Sequence, residues 1–192
     1  MRYLVLQEQE AESEKKLSDF KTMITQLSAK LVEQPEALPK WYLLAKSYLA
    51  LGEYDKAADT FYRMTRFIPQ DHADYAAIKG HYAQALFLAA GETITPAVTA
   101  AVDSALALDP EESSALTLKG VQAYDQREYR QAIDYWRRAE RKASPDQIER
   151  FLEPAIASAT EALGGAPETT PQVSKVAVTP AASIPVRLNL DP

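Results

Sequence analysis

Cysteine is absent from the 192 residues, which excludes disulfides, thiolate metal sites and a cysteine nucleophile. Histidine is scarce. His72 and His81 are the only two, and their separation is not the three or four residues of a helical metal pair. An excess of basic charge is also missing. The formal net charge is −6, so a nucleic-acid partner held by phosphate contacts is not expected. No run approaches the roughly 18 apolar residues that cross a bilayer. The apolar start, Tyr3 to Leu6, is far too short, and no signal-peptide pattern is visible. Glycine-rich phosphate loops and nucleophile elbows are lacking as well. An enzyme is therefore not expected, and no cofactor is implied.

What is present is an ordinary soluble mixture. Hydrophobic residues make up 46% and charged residues 25%, enough for one domain with a real core and extensions. Residues 7–16, QEQEAESEKK, form a solvated helix or a disordered lead. Leu17, Phe20, Ile24, Leu27 and Leu31 then recur at steps of three and four, one apolar face of a helix. That face packs on its own domain or on a second copy, and it is too short to specify a coiled coil. Gln34-Pro35 ends it, because the residue before proline avoids helix. Residues 1–36 are thus a leading helix.

From Trp41 the pattern changes. Trp41, Leu44, Tyr48 and Leu51 keep helical spacing, and Gly52 stops the helix. Tyr54, Ala57, Phe61 and Met64 continue on a second one, closed by Pro69. Two helices joined by a short turn make an antiparallel hairpin. Ala45 and Ala57 are small where the helices approach. A hairpin of this kind leaves one face unburied, so a repeat is expected, and one is found. REYRQAIDYW parallels GEYDKAADTF in residue type, with Leu116, Gly120, Tyr124, Tyr129, Ala132, Trp136 and Ala139 in register. Between them Tyr75, Ile78 and Tyr82 begin one helix and Pro96 another, a favoured first-turn position for proline. Pro69 and Pro110 are 41 residues apart against the usual ~34. The surplus is expected to lengthen the first helix to Ala90 and widen the GETIT turn. The repeats divide as 38–71, 72–112 and 113–144.

Residues 145–163 read as a lone amphipathic capping helix, with Ile148, Phe151, Leu152, Ile156 and Ala159 on one face and Pro154 expected to kink it. From Gly164 the composition shifts. Five of the 12 prolines fall in residues 164–192, which read as a linker. Its end, VRLNL, alternates like a strand beginning a further domain. The basic cluster Arg127, Arg130, Arg137, Arg138, Arg141 and Lys142 is interleaved with Glu128, Asp134 and Glu140. It reads as a solvated face, with Asp134 and Arg138 an i,i+4 pair; a specific role would be orientation at a membrane surface.

The stretch from Leu38 resembles a tetratricopeptide (TPR) repeat. Trp41, Leu44, Ala45, Tyr48, Ala57, Phe61 and Pro69 stand where that repeat has W, L, G, Y, A, F and P. The third repeat keeps Gly120, Tyr129, Ala132, Trp136 and Ala139, but has Ala123 for tyrosine and Ser144 for proline. The middle repeat is degenerate. A sharper resemblance covers roughly residues 20–163, through MITQLSAKLVEQP, PKWYLLAKSYLALGEYDKAADTFYRM, ALALDP, ALTL and QAIDYW. These are similar to the periplasmic TPR region of the cytochrome c maturation subunit that handles apocytochrome, and to its relative in the nitrite-reductase haem lyase. The fold implied is all-α: a superhelix of three antiparallel hairpins with a leading helix and a C-terminal cap. The resemblance implies no catalysis. It implies binding of the C-terminal segment of apocytochrome c for haem attachment, contact with other subunits of the haem ligation complex, and a periplasmic location. Membrane attachment would be through a tether outside this chain. The competing class is a non-catalytic TPR scaffold that holds folded subunits together.

The repeat's signature aromatics belong to the core, so binding must use other positions. In such a superhelix the first helix of each hairpin lines the concave face. The expected groove residues are Tyr42, Lys46 and Leu49; Ala76, Gly80, Ala83, Gln84 and Phe87; and Thr117, Val121, Tyr124 and Asp125. This set is apolar with a few polar handles, and suits an amphipathic helix whose affinity varies little with salt.

Overall fold

The computed structural model describes residues 2–34 and 36–165. The expected linker and strand after Gly165 lie outside the described residues. Among those described there is no strand, and the expected superhelix is what the chain adopts. It runs α1 (Arg2–Leu31), α2 (Leu38–Ala50), α3 (Tyr54–Phe67), α4 (Tyr75–Ala89), α5 (Pro96–Leu106), α6 (Ser113–Asp125) and α7 (Tyr129–Glu140). A short turn α8 (Pro145–Gln147), a π-helical turn (Ile148–Leu152) and α9 (Glu153–Gly165) complete it. The pairs α2/α3, α4/α5 and α6/α7 are the three hairpins, and α4 packs across to both α3 and α6.

Among the described residues three apolar clusters follow one another along the chain, as expected where each repeat contacts only its neighbours. The first joins α1 to α4 through Trp41, Leu44, Phe61, Met64 and Tyr75. The second holds Ala83, Val98, Val102 and Leu118. The third holds Leu116, Trp136, Leu152 and Ala159. Tyr82 and Leu86 touch both the first and second clusters, and Leu106 the second and third. Ala45 and Ala57 have no accessible surface, which lets the α2 and α3 backbones come close.

The first helix of each hairpin stops the same way. Gly52, Gly91 and Arg127 follow their helices with φ of 72°, 63° and 63°. In each, the next N–H reaches back to a carbonyl of the last turn: Glu53 to Tyr48, Glu92 to Phe87 and Glu128 to Ala123. That is a left-handed helix stop of the kind glycine favours. The third hairpin makes it with an arginine. The second needs six residues, 90–95, where the others need three, and α4 is two residues longer than α2 or α6. Thr95 caps α5 by accepting the Val98 N–H.

The α1 stripe divides. Ile24 and Leu31 are buried and Leu27 half-buried against the first cluster, whereas Leu17 and Phe20 are exposed. At the other end Pro154 has no N–H to continue the helix. The turn before it widens instead, with the Glu153 N–H reaching Ile148 O in a five-residue step. A π turn of this sort is one way a helix absorbs a proline.

The basic cluster corrects the expectation for it. Arg138 pairs with Glu111 at 3.0 Å, not Asp134, and donates to Pro110 O at 2.8 Å. Arg141 pairs with the same Glu111 at 3.2 Å, and Lys142 with Asp109 at 2.7 Å. These side chains tie the end of α7 to the α5–α6 loop. The pairing is long-range because Asp109 and Glu111 precede α6 and so lie beside the end of its antiparallel partner.

Candidate peptide-binding cleft

On α2, Tyr42 and Lys46 are one turn apart. On α4, Ala77, His81 and Gln84 form a stripe at steps of four and three. At the start of α6 stand Glu112, Ser113 and Ser114. These three first helices line one side of a cleft of about 670 Å³. Asp109 from the α5–α6 loop joins them, and the junction between α7 and α9 closes the far wall with Lys142, Ser144, Asp146, Gln147, Arg150 and Phe151. A smaller hollow of about 220 Å³, lined by Val32, Trp41, Tyr48 and Arg63 among others, involves only the first hairpin and α1.

His81 lies at the base of the cleft. Its Nε2 is 2.9 Å from the Tyr42 hydroxyl, its Nδ1 is 3.5 Å from Ser114 Oγ, and its ring lies 5.4 Å from that of Phe61. One imidazole thus links α2, α4 and α6. Burial, then the Lys46 charge, lower its pKa to about 4, against an opposing hydrogen bond with Gln84. At neutral pH it is an uncharged ring that can donate through one nitrogen and accept through the other. Burial, and secondarily Asp74, raise the Tyr42 hydroxyl's pKa.

Glu112 is buried, yet each of its carboxylate oxygens has a hydrogen-bond partner. It accepts the Ser114 N–H at 3.1 Å and the Ala115 N–H at 2.6 Å, capping α6. Burial raises its pKa, and those two hydrogen bonds oppose the rise. The carboxylate rests on Gly80, where an added Cβ would collide with it. Gly80 therefore makes room for a cap, and α4 and α6 approach across it. Among the cleft's cations, Lys142 is paired with Asp109 at 2.7 Å and Arg150 with Asp146 at 2.6 Å. The Lys142 hydrogen bond is the main reason Asp109's pKa lies below the usual value.

Of the residues expected in the groove, Tyr42, Lys46 and Gln84 lie together in this cleft. The others are elsewhere. Leu49 packs on the first cluster. Ala76 is half-buried beside Ala77. Ala83 has no exposed surface in the second cluster, and Phe87 packs on the same cluster. The Thr117 hydroxyl donates to Ser113 O at 2.8 Å and lies 3.4 Å from the Gln147 amide nitrogen. Val121 and Tyr124 pack on the third cluster. The Tyr124 ring lies against Tyr129 and Trp136, and its hydroxyl is 3.0 Å from Ser158. Asp125 is exposed at the end of α6. The cleft's lining is thus more polar than the expected groove. His81 and Ala77 were recoverable from the stripe that contains Gln84. Glu112, Ser144, Arg150 and Phe151 had no such signal, because the turn back of α9 brings the last three there. Among the described residues no group of three or more His, Asp or Glu side chains could hold a metal ion. No described helix is long and apolar enough to cross a membrane.

The sequence model of the cytochrome c-type biogenesis protein H TPR domain matches residues 2–150. The chain belongs to that family. This TPR domain is 28% identical over 150 residues to the cytochrome c-type biogenesis protein CycH of Pseudomonas aeruginosa, covering 78% of the chain and 36% of CycH. It is 30% identical over 119 residues to the formate-dependent nitrite reductase complex subunit NrfG of Escherichia coli O157:H7, covering 62% of the chain and 58% of NrfG. The matched region thus spans about a third and somewhat over half of these relatives. Two crystal structures of MamA share the fold, with TM-scores of 0.54 and 0.52 at 19% and 18% identity. They cover 78% and 80% of the chain, and 82% and 78% of the MamA chains.

Proposed function

We propose that this TPR domain is a non-catalytic peptide-binding module of c-type cytochrome biogenesis. It takes the C-terminal segment of apocytochrome c into its cleft and presents it to the haem ligation machinery. Its site of action is the periplasm, next to other subunits of the ligation complex, with any membrane tether outside this chain. The observation that carries this reading is the cleft itself, to which the first helices of all three hairpins contribute side chains. A concave surface built from successive repeats suits one continuous segment of chain.

The recognition chemistry follows the lining. Tyr42 and Phe151 supply apolar surface, and Lys46, Gln84, Ser114, Gln147 and Arg150 supply polar contacts. A client that orders on docking gives up conformational freedom, which holds net affinity near the micromolar range. Haem attachment and folding would then sequester the segment in the cytochrome's own core, so release needs no energy source here.

Fluorescence anisotropy with labelled C-terminal peptides of c-type cytochromes, set against the folded holocytochromes, tests this. The expected result is binding of the peptides and little binding of the holo forms. Equal affinity for the folded cytochromes would favour the scaffold reading. That alternative has an observation of its own: Leu43, Tyr62 and Phe67 are exposed and stand outside the cleft.

A further inference from the structure

Phe151 and Leu152 are neighbours in the π turn, yet they go opposite ways. Leu152 has no accessible surface and belongs to the third cluster. Phe151 is 40% exposed and lines the cleft. Its ring meets that of Trp136 at 87°, with centroids 6.3 Å apart, a favourable edge-to-face arrangement. Trp136 is itself fixed: it is buried, and its indole N–H donates to Thr117 O at 3.0 Å. The Phe151 ring is therefore oriented before any ligand arrives, and the rest of its surface is open.

No other side chain of the cleft offers this. Ala77 is the only other wholly apolar residue in the lining, and it is small. The Tyr42 ring lies against Phe61 and His81, and its hydroxyl bonds to His81. On the wall that holds Phe151, the polar groups already have partners. Arg150 pairs with Asp146 at 2.6 Å, Lys142 with Asp109 at 2.7 Å, and the Gln147 amide lies 3.4 Å from the Thr117 hydroxyl. A pre-set aromatic ring within a rim of satisfied polar groups is the arrangement in which a few residues carry most of an interface's binding energy.

We propose that Phe151 is the specificity anchor of the cleft. It takes one large apolar side chain of the bound segment, so that the capping turn, outside the three repeats, selects the client. This rests on the peptide-binding reading above. The polar lining from the repeats can satisfy the hydrogen bonds of many segments. Burial against Phe151 rewards only a segment that carries apolar surface at the matching place.

The test uses the intact chain and one labelled peptide of about twenty residues from a c-type cytochrome C-terminus, with variants in which each large apolar residue is changed singly to alanine. Phe151→Ala should weaken binding of the parent peptide about tenfold, and Phe151→Leu should recover most of that loss. On wild type, one alanine peptide should lose about tenfold. On Phe151→Ala the same peptide should lose less than about twofold further, because the two side chains act as a pair. Thermal midpoints by circular dichroism show whether the variants are folded. If Phe151→Ala is not, Phe151→Leu against the similarly sized Phe151→Gln makes the same comparison, with affinity kept by leucine and lost by glutamine. Unchanged binding by a folded Phe151→Ala would overturn the anchor while leaving peptide binding intact. So would alanine-peptide losses that are the same on both proteins. Failure of wild type to bind the parent peptide would overturn the peptide-binding reading itself, and this inference with it.

Discussion

His81 is the residue whose ionisation matters most. Its pKa falls from 6.5 to about 4 on folding, mainly through burial. The unfolded chain therefore holds more protons than the folded one between these values, and stability rises with pH across that window. The contribution is complete above about pH 6.5 and is lost as pH falls toward 4. Glu112 acts in the opposite sense. Its raised pKa gives stability that is present at low pH and lost as pH rises through the folded value. Replacing His81 with Asn isolates the histidine. The stability difference between wild type and His81→Asn should grow in wild type's favour from pH 4 to 6.5, by up to roughly 3 kcal/mol, and level off above. Urea titrations at several pH values measure it; parallel curves would show that His81 does not titrate this way.

Arg127 is the other informative residue. It occupies with φ of 63° the position that Gly52 and Gly91 occupy in the other hairpins. A left-handed conformation costs a residue with a Cβ about 1–2 kcal/mol, part of which is offset by glycine's greater freedom when unfolded. Arg127→Gly should raise stability by roughly 0.5–1 kcal/mol, read as a shift in thermal midpoint. A lower midpoint would mean that the arginine makes a compensating contact. The sequence placed Arg127 only within a basic run. Its role at the turn became legible once the three hairpins could be superposed as one motif.

Among the elements, the C-terminal cap has two tasks. It covers the third cluster through Leu152 of the π turn and Ala159 of α9, both without accessible surface. The π turn before it carries Arg150 and Phe151 into the cleft wall. Truncating Leu152 to Ala should cost about 2–5 kcal/mol, since it removes a fully buried side chain and leaves a cavity. Because the same side chain anchors the π turn, client binding should weaken along with stability. Chemical denaturation and peptide anisotropy on Leu152→Ala would show both effects. Loss of stability with unchanged binding would detach the cap from the cleft. The amphipathic stripe announced this helix in the sequence, and Pro154 announced an irregularity. That the irregularity is a π turn, and that it faces the cleft, depends on what α7 and α9 leave open between them.

For the whole molecule, the polarity of the cleft decides how binding should respond to salt. An apolar groove anchored by Leu49, Phe87, Val121 and Tyr124 would give affinity nearly independent of ionic strength. Those four side chains pack on the three clusters instead, and the cleft presents an unpaired Lys46 beside the ion pairs of Lys142 with Asp109 and Arg150 with Asp146. Peptide affinity should therefore fall severalfold between low and physiological salt, with exposed Lys46 screened most. Titrations at a series of salt concentrations check this, and a flat response would restore the apolar account. By itself the sequence determined the repeat, the hairpins and most of the core, because helical periodicity and the spacing of Trp41, Ala57, Phe61, Ala132 and Trp136 are local properties of the chain. It also put Tyr42, Lys46 and Gln84 on the concave side, since each lies on the first helix of its hairpin. Only the tertiary structure decided which helix faces the packed clusters absorb and which remain open. The cleft joins α2 and α4 to residues some sixty to a hundred positions later, and that meeting is set by the accumulated rotation from one hairpin to the next, a quantity no single helix's periodicity contains.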